Sequence, residues 1–100
     1  MSATSKLSRD VLKNDWKWIE LSAKFLSENV FCERHKLRRK YIPSQVTDHV
    51  IPVSVRPDRR YDEDNLQALC KSCHSWKTGK ERSLVAYDFR RRIQYSLVGK

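Results

Sequence analysis

The sequence predicts a small α+β domain built on a short β-hairpin and a following helix. Three observations indicate this fold. The chain has 100 residues, which is enough for one domain. Apolar residues recur at helical spacing near the N-terminus, and a β-branched run lies between two Cys-containing pairs. Apolar content is below the roughly 45–50% of typical globular chains. A core with so few apolar residues often needs additional stabilisation, for example by a bound metal.

The first predicted element is an amphipathic helix at about residues 9–28. Residues 1–8 are small and polar, which indicates a flexible tail before a single domain at 9–100. In the helix, apolar residues alternate at spacings of four and three, which places them on one face. That stripe consists of Leu12, Trp16, Ile19, Ala23, Leu26 and Val30. We expect the stripe to face the core and the helix to stop at Asn29.

The hairpin and the next helix are predicted from the centre of the chain. Residues 45–51 are rich in β-branched side chains and fit a strand. Pro52 should end this strand, because proline cannot donate to a β-ladder. Residues 66–69 alternate apolar with small or polar side chains and fit a second strand. No helix breaker follows until Gly79, so a helix is predicted at about 71–78.

The C-terminal segment is predicted to be helical. Phe89, Ile93 and Leu97 are spaced by four residues, which suits one face of a helix. Val85, Tyr87 and Phe89 alternate instead, so the same segment also fits a strand.

The charge narrows the classes of partner. The formal net charge is +9, from 21 Lys and Arg against 12 Asp and Glu, with the excess in the centre and the C-terminal part. Such a surface attracts polyanions, which makes nucleic acid the leading partner, while a solvated charged surface is the alternative. Two glycines are too few for a Gly-rich phosphate loop. No uncharged run exceeds seven residues, so we expect no membrane partner, no signal peptide and a cytoplasmic location.

The cysteines and histidines form a candidate metal site. An odd count of three cysteines, without an export signal, argues against a disulfide framework. Cys32-x-x-His35 and Cys70-x-x-Cys73 each have a gap of two residues, which lets both side chains of a tight turn reach one ion. Together they supply the four ligands of a tetrahedral zinc site. The alternative is that the cysteines are buried hydrophobes and His35 is a solvated residue of the basic cluster at 34–40.

Four segments of the sequence combine into a longer pattern. They are Cys32-x-x-His35, Val46-x-Asp48-His49-Val50-Ile51-Pro52, Asp64-Asn65-Leu66-Gln67-x-Leu69-Cys70-x-x-Cys73-His74 and Lys77-Thr78. This pattern resembles the HNH endonucleases, a family with a ββα-metal (His-Me finger) core. The resemblance covers about residues 31–82, and the preceding helix resembles that of small stand-alone HNH proteins of tailed phages. Family members usually have Cys-x-x-Cys at the first pair, where this chain has His35.

The resemblance implies a role for each residue of the motif. Asp48 and His74 would bind one catalytic divalent metal such as Mg²⁺ or Mn²⁺, His49 would be the general base, and Asn65 would orient the loop that aims His49. A neutral imidazole can take a proton from water at physiological pH. A metal with one carboxylate and one imidazole ligand keeps open positions for phosphate and water. Taken singly, an Asp-His pair or an Asn is more often a surface or turn feature.

The implied function is hydrolysis of DNA phosphodiester bonds by a metal-dependent endonuclease with a separate structural zinc. One active site cuts one strand, so we expect a nicking monomer, or double-strand cutting by a homodimer. The resemblance to small phage proteins implies a role together with the terminase in genome packaging, in the host cell cytoplasm. The rivals are a non-catalytic zinc module that only binds nucleic acid, and a structural adaptor of the packaging machine.

Four basic residues are candidate DNA contacts in addition to the motif's reacting groups. They are Arg38, Arg39, Lys77 and Arg82. Each one equally fits a solvated surface.

Overall fold

The computed structural model describes residues 15–98. Within this range the elements are, in chain order, α1 (Trp16–Glu28), α2 (Glu33–Lys36), β1 (Val46–His49), β2 (Leu66–Leu69), α3 (Lys71–Arg82), β3 (Val85–Asp88) and β4 (Ile93–Ser96). Two 3₁₀ turns, Pro57–Arg59 and Glu63–Asn65, lie in the loop between β1 and β2. None of these helices is long and apolar enough to cross a membrane. The predicted tail at 1–8 and Leu12 lie outside the described residues.

The predicted hairpin and the helix after it are confirmed. β1 and β2 pair antiparallel, with Asp48 opposite Gln67 and His49 opposite Leu66. β1 ends at His49, earlier than predicted, because the chain bends at Val50 ahead of Pro52. α3 runs on to Arg82, so the exposed Gly79 does not end it.

β2 is buried on both faces, which fixes the order of the layers. Leu66 and Ala68 face α1 and pack against Phe25. On the opposite face, Leu69 packs with Phe89 and the three cysteines, beside Trp76 of α3 and Tyr87 of β3. The strand therefore lies between α1 on one side and α3 with the β3–β4 hairpin on the other.

α1 turns a different face to the core than the one predicted. It buries Phe25 and packs Trp18 and Leu21 around it, whereas Trp16 is 66% exposed and Val30 is 56% exposed. The predicted core stripe is therefore wrong for Trp16, Ile19, Ala23 and Val30, which are exposed. Of the described members of the stripe, Leu26 does pack against this cluster. Trp18, Leu21 and Phe25 are themselves spaced by three and four, so the helix has apolar residues on two faces and periodicity alone allows either.

The ends of α1 are set by capping groups. Its first residue is Trp16, later than predicted, and the Asp15 carboxylate accepts a hydrogen bond from the Trp18 N–H at 3.1 Å. The predicted stop at Asn29 is confirmed, because this residue caps the C-terminus.

The predicted C-terminal helix is wrong, because the segment forms a second antiparallel hairpin. β3 pairs with β4, with Val85 opposite Ser96 and Asp88 opposite Ile93. The turn between them is closed by Arg92, whose φ of 58° lies in the left-handed region, and by the buried Asp88, which accepts from the Arg91 N–H at 3.0 Å. The alternation of Val85 and Tyr87, left open as a strand pattern, describes this segment.

We expect Leu69→Ala to lower the free energy of unfolding by about 2–5 kcal/mol, because it leaves a cavity in the cluster around the cysteines. Leu37→Ala is the matched control, since Leu37 is 40% exposed. The control should change stability by less than about 0.5 kcal/mol. Chemical denaturation of both variants at equal metal content measures this. Equal losses for the two variants would contradict the packing described.

Candidate active site and metal centre

Four side chains converge on one point between α2 and the start of α3. The ligand atoms of Cys32, His35, Cys70 and Cys73 all lie within 4.8 Å of one another. His35 Nδ1 is 3.4 Å from the Cys32 sulfur, 3.6 Å from that of Cys70 and 3.4 Å from that of Cys73. Zinc bonds of about 2.0 Å to nitrogen and 2.3 Å to sulfur give tetrahedral N···S edges of about 3.5 Å. The donor set therefore fits a tetrahedral ion.

The local fold places each of these ligands. α2 is a single turn, so Cys32 at its N-cap and His35 inside it face the same way. Cys70 directly follows β2 and caps α3, and Cys73 lies in the first turn of that helix. All three cysteines are buried and free of disulfides. The end of the hairpin and the N-termini of two helices thus bring the four ligands together.

The pKa values of the Cys70 and Cys73 thiols are shifted in opposite directions. Burial acts to raise the pKa of Cys70, but hydrogen bonds with the Ser72 hydroxyl and the Cys73 N–H outweigh it and lower the pKa to about 6. Burial raises the pKa of Cys73 to about 11, against the effect of the nearby Arg34 guanidinium. One thiol is therefore available as a thiolate near neutral pH, the form that binds metal.

A second group of side chains lines an open cavity of about 270 Å³ at the end of the hairpin. Asp48 and His49 reach it from β1 and His74 reaches it from α3. Asp48 Oδ1 lies 3.5 Å from His74 Nε2. The structure thus brings together three residues of the motif. The Asp48 carboxylate and the His74 imidazole are close enough to bind the same metal ion. Glu81, which the sequence analysis missed, also lines the cavity.

The His49 ring is held in a defined orientation. Its Nε2 lies 2.9 Å from the carbonyl oxygen of Arg60. Because a carbonyl only accepts, Nε2 carries the proton and Nδ1 keeps its lone pair in the neutral ring. The indole of Trp18 stacks on the imidazole, with centroids 4.5 Å apart and planes 22° apart. This tautomer suits proton acceptance at Nδ1.

Asn65 lies outside the cavity and closes the loop between the strands. It is 1% exposed. Its Oδ1 accepts from the Ile51 N–H at 3.0 Å, and its Nδ2 donates to the Ile51 carbonyl at 3.0 Å. Its own carbonyl accepts from the Val50 N–H at 2.8 Å. The loop held in this way contains Arg60, the acceptor for His49.

Lys77 is neither a phosphate contact nor part of a solvated surface, because its side chain is fully buried. Its ammonium lies 3.0 Å from Asp48 Oδ2, donates to the His49 carbonyl at 2.9 Å and pairs with Glu81. Lys77 follows Cys73 by four residues and His74 by three, so it shares the inward face of α3. That spacing is the signal in the sequence that could have indicated its burial.

The three candidate arginines are exposed. Arg82 borders an open groove along α3 together with His74, Thr78 and Gly79. Arg38 and Arg39 lie in the turn after α2 and are not among the residues that line the cavity of Asp48, His49 and His74.

Comparisons with known proteins indicate the family of this chain. Residues 31–80 match the family model described as HNH endonuclease. The chain is also similar to the crystal structure of the HNH endonuclease of the deep-sea thermophilic bacteriophage GVE2 with manganese ion. That match has a TM-score of 0.69 and 26% identity, and covers 78% of this chain and 86% of that one. The search of curated proteins gave no match.

The fold, the site and these matches define a nuclease that hydrolyses phosphodiester bonds. The chain belongs to the HNH endonuclease family, since the family model covers half of it. The resemblance of the sequence to this family is confirmed.

We expect Lys77→Met to lower the free energy of unfolding by about 3–5 kcal/mol, because it leaves the buried Asp48 carboxylate without its countercharge. Lys71→Met, at the exposed start of the same helix, is the matched control. Chemical denaturation without added divalent metal measures both. The description of the ion pair fails if the two variants are equally stable.

Proposed function

We propose that the chain is a divalent-metal-dependent DNA endonuclease with His49 as its general base. One observation carries the proposal: His49 Nε2 donates to the Arg60 carbonyl at 2.9 Å, which leaves Nδ1 as the ring nitrogen that can accept a proton, and His49 lines the same cavity as Asp48 and His74. Asp48 and His74 are the proposed ligands of the catalytic metal. Asn65 is proposed to hold the loop that carries Arg60.

The reaction is in-line hydrolysis with His49 as the proton acceptor. Nδ1 takes a proton from a water molecule as its oxygen bonds to phosphorus, and the bond from phosphorus to the 3′ oxygen breaks. The leaving 3′ oxygen takes a proton from solvent, and His49 returns its proton to solvent. The products are a 5′-phosphate and a 3′-hydroxyl. An imidazole can be neutral at physiological pH and so serve as this base. A bound divalent metal would stabilise the negative charge that grows on the phosphate and the leaving oxygen.

The two oxygens of Asp48 have different partners, which prepares one of them for a metal. Oδ2 accepts from Lys77 at 3.0 Å and from the Gln67 amide at 3.1 Å. Oδ1 points toward His74 Nε2, at 3.5 Å. A carboxylate with an imidazole suits several divalent ions, Mg²⁺ and Mn²⁺ among them. The GVE2 enzyme was crystallised with manganese, which supports Mn²⁺ as one of them.

We propose that zinc binds at Cys32, His35, Cys70 and Cys73 and is structural. Four protein ligands leave no open position for a substrate, which is typical of structural zinc sites. His35 supplies the ligand that is usually a cysteine in the family, and its three N···S distances support that role.

DNA is the proposed substrate, and nicking is the proposed basic event. The net charge of +9 favours a polyanion. Arg82 is proposed to contact the backbone beside the cavity, and Arg38 and Arg39 to contact it farther away. A monomer would cut one strand, and a homodimer or two events would cut both. Because the GVE2 protein is a bacteriophage endonuclease, we also propose action beside a terminase in genome packaging in the host cytoplasm.

We expect the wild-type protein to nick supercoiled plasmid with Mg²⁺ or Mn²⁺, and His49→Ala to lower the rate at least about 100-fold, as the loss of a general base does. Gln94→Ala, on the exposed face of β4, should nick like wild type. Plasmid relaxation on gels and DNA binding by anisotropy measure both steps. Equal nicking by His49→Ala would refute the mechanism, and binding without any metal-dependent cleavage would favour a non-catalytic zinc module.

We expect purified protein to hold one zinc per chain and His35→Cys to retain it, because both side chains are competent zinc ligands. His35→Ala should lose zinc and melt at a lower temperature, since metal binding is coupled to folding. Elemental analysis and thermal melts of the three proteins test this. Full zinc occupancy in His35→Ala would show that His35 is not a ligand.

A further inference from the structure

We propose that α1 positions the general base, with Trp18 setting the plane of the His49 ring and Asp15 holding both of the groups that restrain it. The inference rests on the proposed role of His49. α1 precedes residues 31–80, the part of the chain that matches the family model. Trp18 and Asp15 are therefore positioning residues outside the family motif.

Two restraints of different kind act on the imidazole. The hydrogen bond from Nε2 to the Arg60 carbonyl fixes the direction of one ring atom. A ring held at one atom can still rotate about that bond, and such rotation would change the direction in which Nδ1 points. The indole of Trp18 lies flat against the ring, 4.5 Å away between centroids, and removes this freedom. Together the two contacts fix where Nδ1 points.

Asp15 joins these two restraints through one carboxylate. Its Oδ1 accepts from the backbone N–H of Trp18 at 3.1 Å and from the Tyr61 hydroxyl at 2.8 Å. Its Oδ2 pairs with the guanidinium of Arg60, the residue whose carbonyl receives His49 Nε2. The side chain of Asp15 is only 9% exposed. The start of α1 and the loop before β2 are thus tied to each other on either side of His49.

The charge of Asp15 suits this bridging role. Burial acts to raise its pKa, but the hydrogen bonds from Tyr61 and Trp18 and the charge of Arg60 outweigh it, so the pKa lies below the ordinary value of 3.8. The Asp15 carboxylate is therefore ionised near neutral pH and can accept all of these contacts.

The reaction rate depends strongly on the position and orientation of the general base. Displacement of a reacting group by about 1 Å can cost roughly 10²-fold in rate without loss of substrate binding. If Trp18 only filled the core beside Phe25, its loss would lower stability and leave the rate per folded molecule unchanged. The two roles therefore predict different kinetics.

The test compares three tryptophan variants of the full chain. Trp18→Leu removes the flat face, and we expect kcat to fall about 10- to 100-fold with KM for DNA within about twofold. Trp18→Phe keeps an aromatic face and should restore kcat to within about threefold of wild type, since aromatic stacking survives. Trp16→Leu is the matched control, because Trp16 is two residues away on the same helix and 66% exposed. It should leave kcat unchanged.

A readout other than activity follows the ring directly. In NMR spectra the His49 ring protons should show an upfield ring-current shift in wild type and in Trp18→Phe, and should lose it in Trp18→Leu. Asp15→Ala should lower kcat as well. Its combination with Trp18→Leu should cost no more than the larger single effect, because residues that act as one unit are not additive.

The outcomes separate this inference from the proposed function. If His49→Ala is fully active, the proposed base is wrong. If His49→Ala is inactive while folded Trp18→Leu keeps wild-type kcat, only the positioning role is overturned. The positioning role is also overturned if Trp18→Phe loses as much kcat as Trp18→Leu, or if the whole loss follows the unfolded fraction in thermal melts.

Discussion

The buried pair of Lys77 and Asp48 is the interaction on which the site depends. It joins α3 to β1, and the same ammonium also donates to the His49 carbonyl. Removing charges from water costs several kcal/mol per ion, so such a pair is weak evidence for a gain in stability. Its consequence is positional, because it fixes which oxygen of Asp48 faces His74. With Glu81 also beside Lys77, two carboxylates share one ammonium, and the excess negative charge at the cavity favours a cation.

The small number of buried apolar residues explains why a bound metal would stabilise this fold. Most of the buried apolar residues of the described chain form two small clusters, on opposite faces of β2. Three of the five buried members of one cluster are cysteines. A core of this size has few apolar contacts to lose, and small domains commonly rely on a bound metal as a staple. The cysteines thus occupy the place where a larger protein would pack aliphatic side chains. Both their burial and their arrangement as metal ligands would stabilise the core.

The parts of the fold that the sequence predicted are those whose signal is local. The Asp48-His49 strand, its partner and α3 have short motifs and clear spacings. The face of α1 was not predictable, because Trp16 and Trp18 each belong to an apolar stripe and only the packing against Leu66 selects between them. The β3–β4 turn contains neither Gly nor Pro and is closed by Arg92 in a left-handed conformation, which leaves no turn signal.

The same distinction applies to the site. Spacing alone indicated the four members of the cysteine-histidine cluster, since each pair is separated by two residues. The burial of Lys77 depends on carboxylates from β1 and from α3 itself, and a hydrophobic pattern does not report such a countercharge. The contact of Trp18 with His49 joins residues 31 positions apart in the chain. Periodicity describes one element at a time, so contacts between elements lie beyond it.

The motif and its surroundings contribute different things to this enzyme. The proposed reacting groups, Asp48, His49 and His74, all lie within the residues that match the family model. Their orientation comes from other residues: Lys77 holds Asp48 from α3, and Asn65 holds the loop behind His49. On our proposal the third restraint comes from α1, outside the family match. A segment limited to residues 31–80 would then contain every reacting group and lack the surface that fixes the plane of the base.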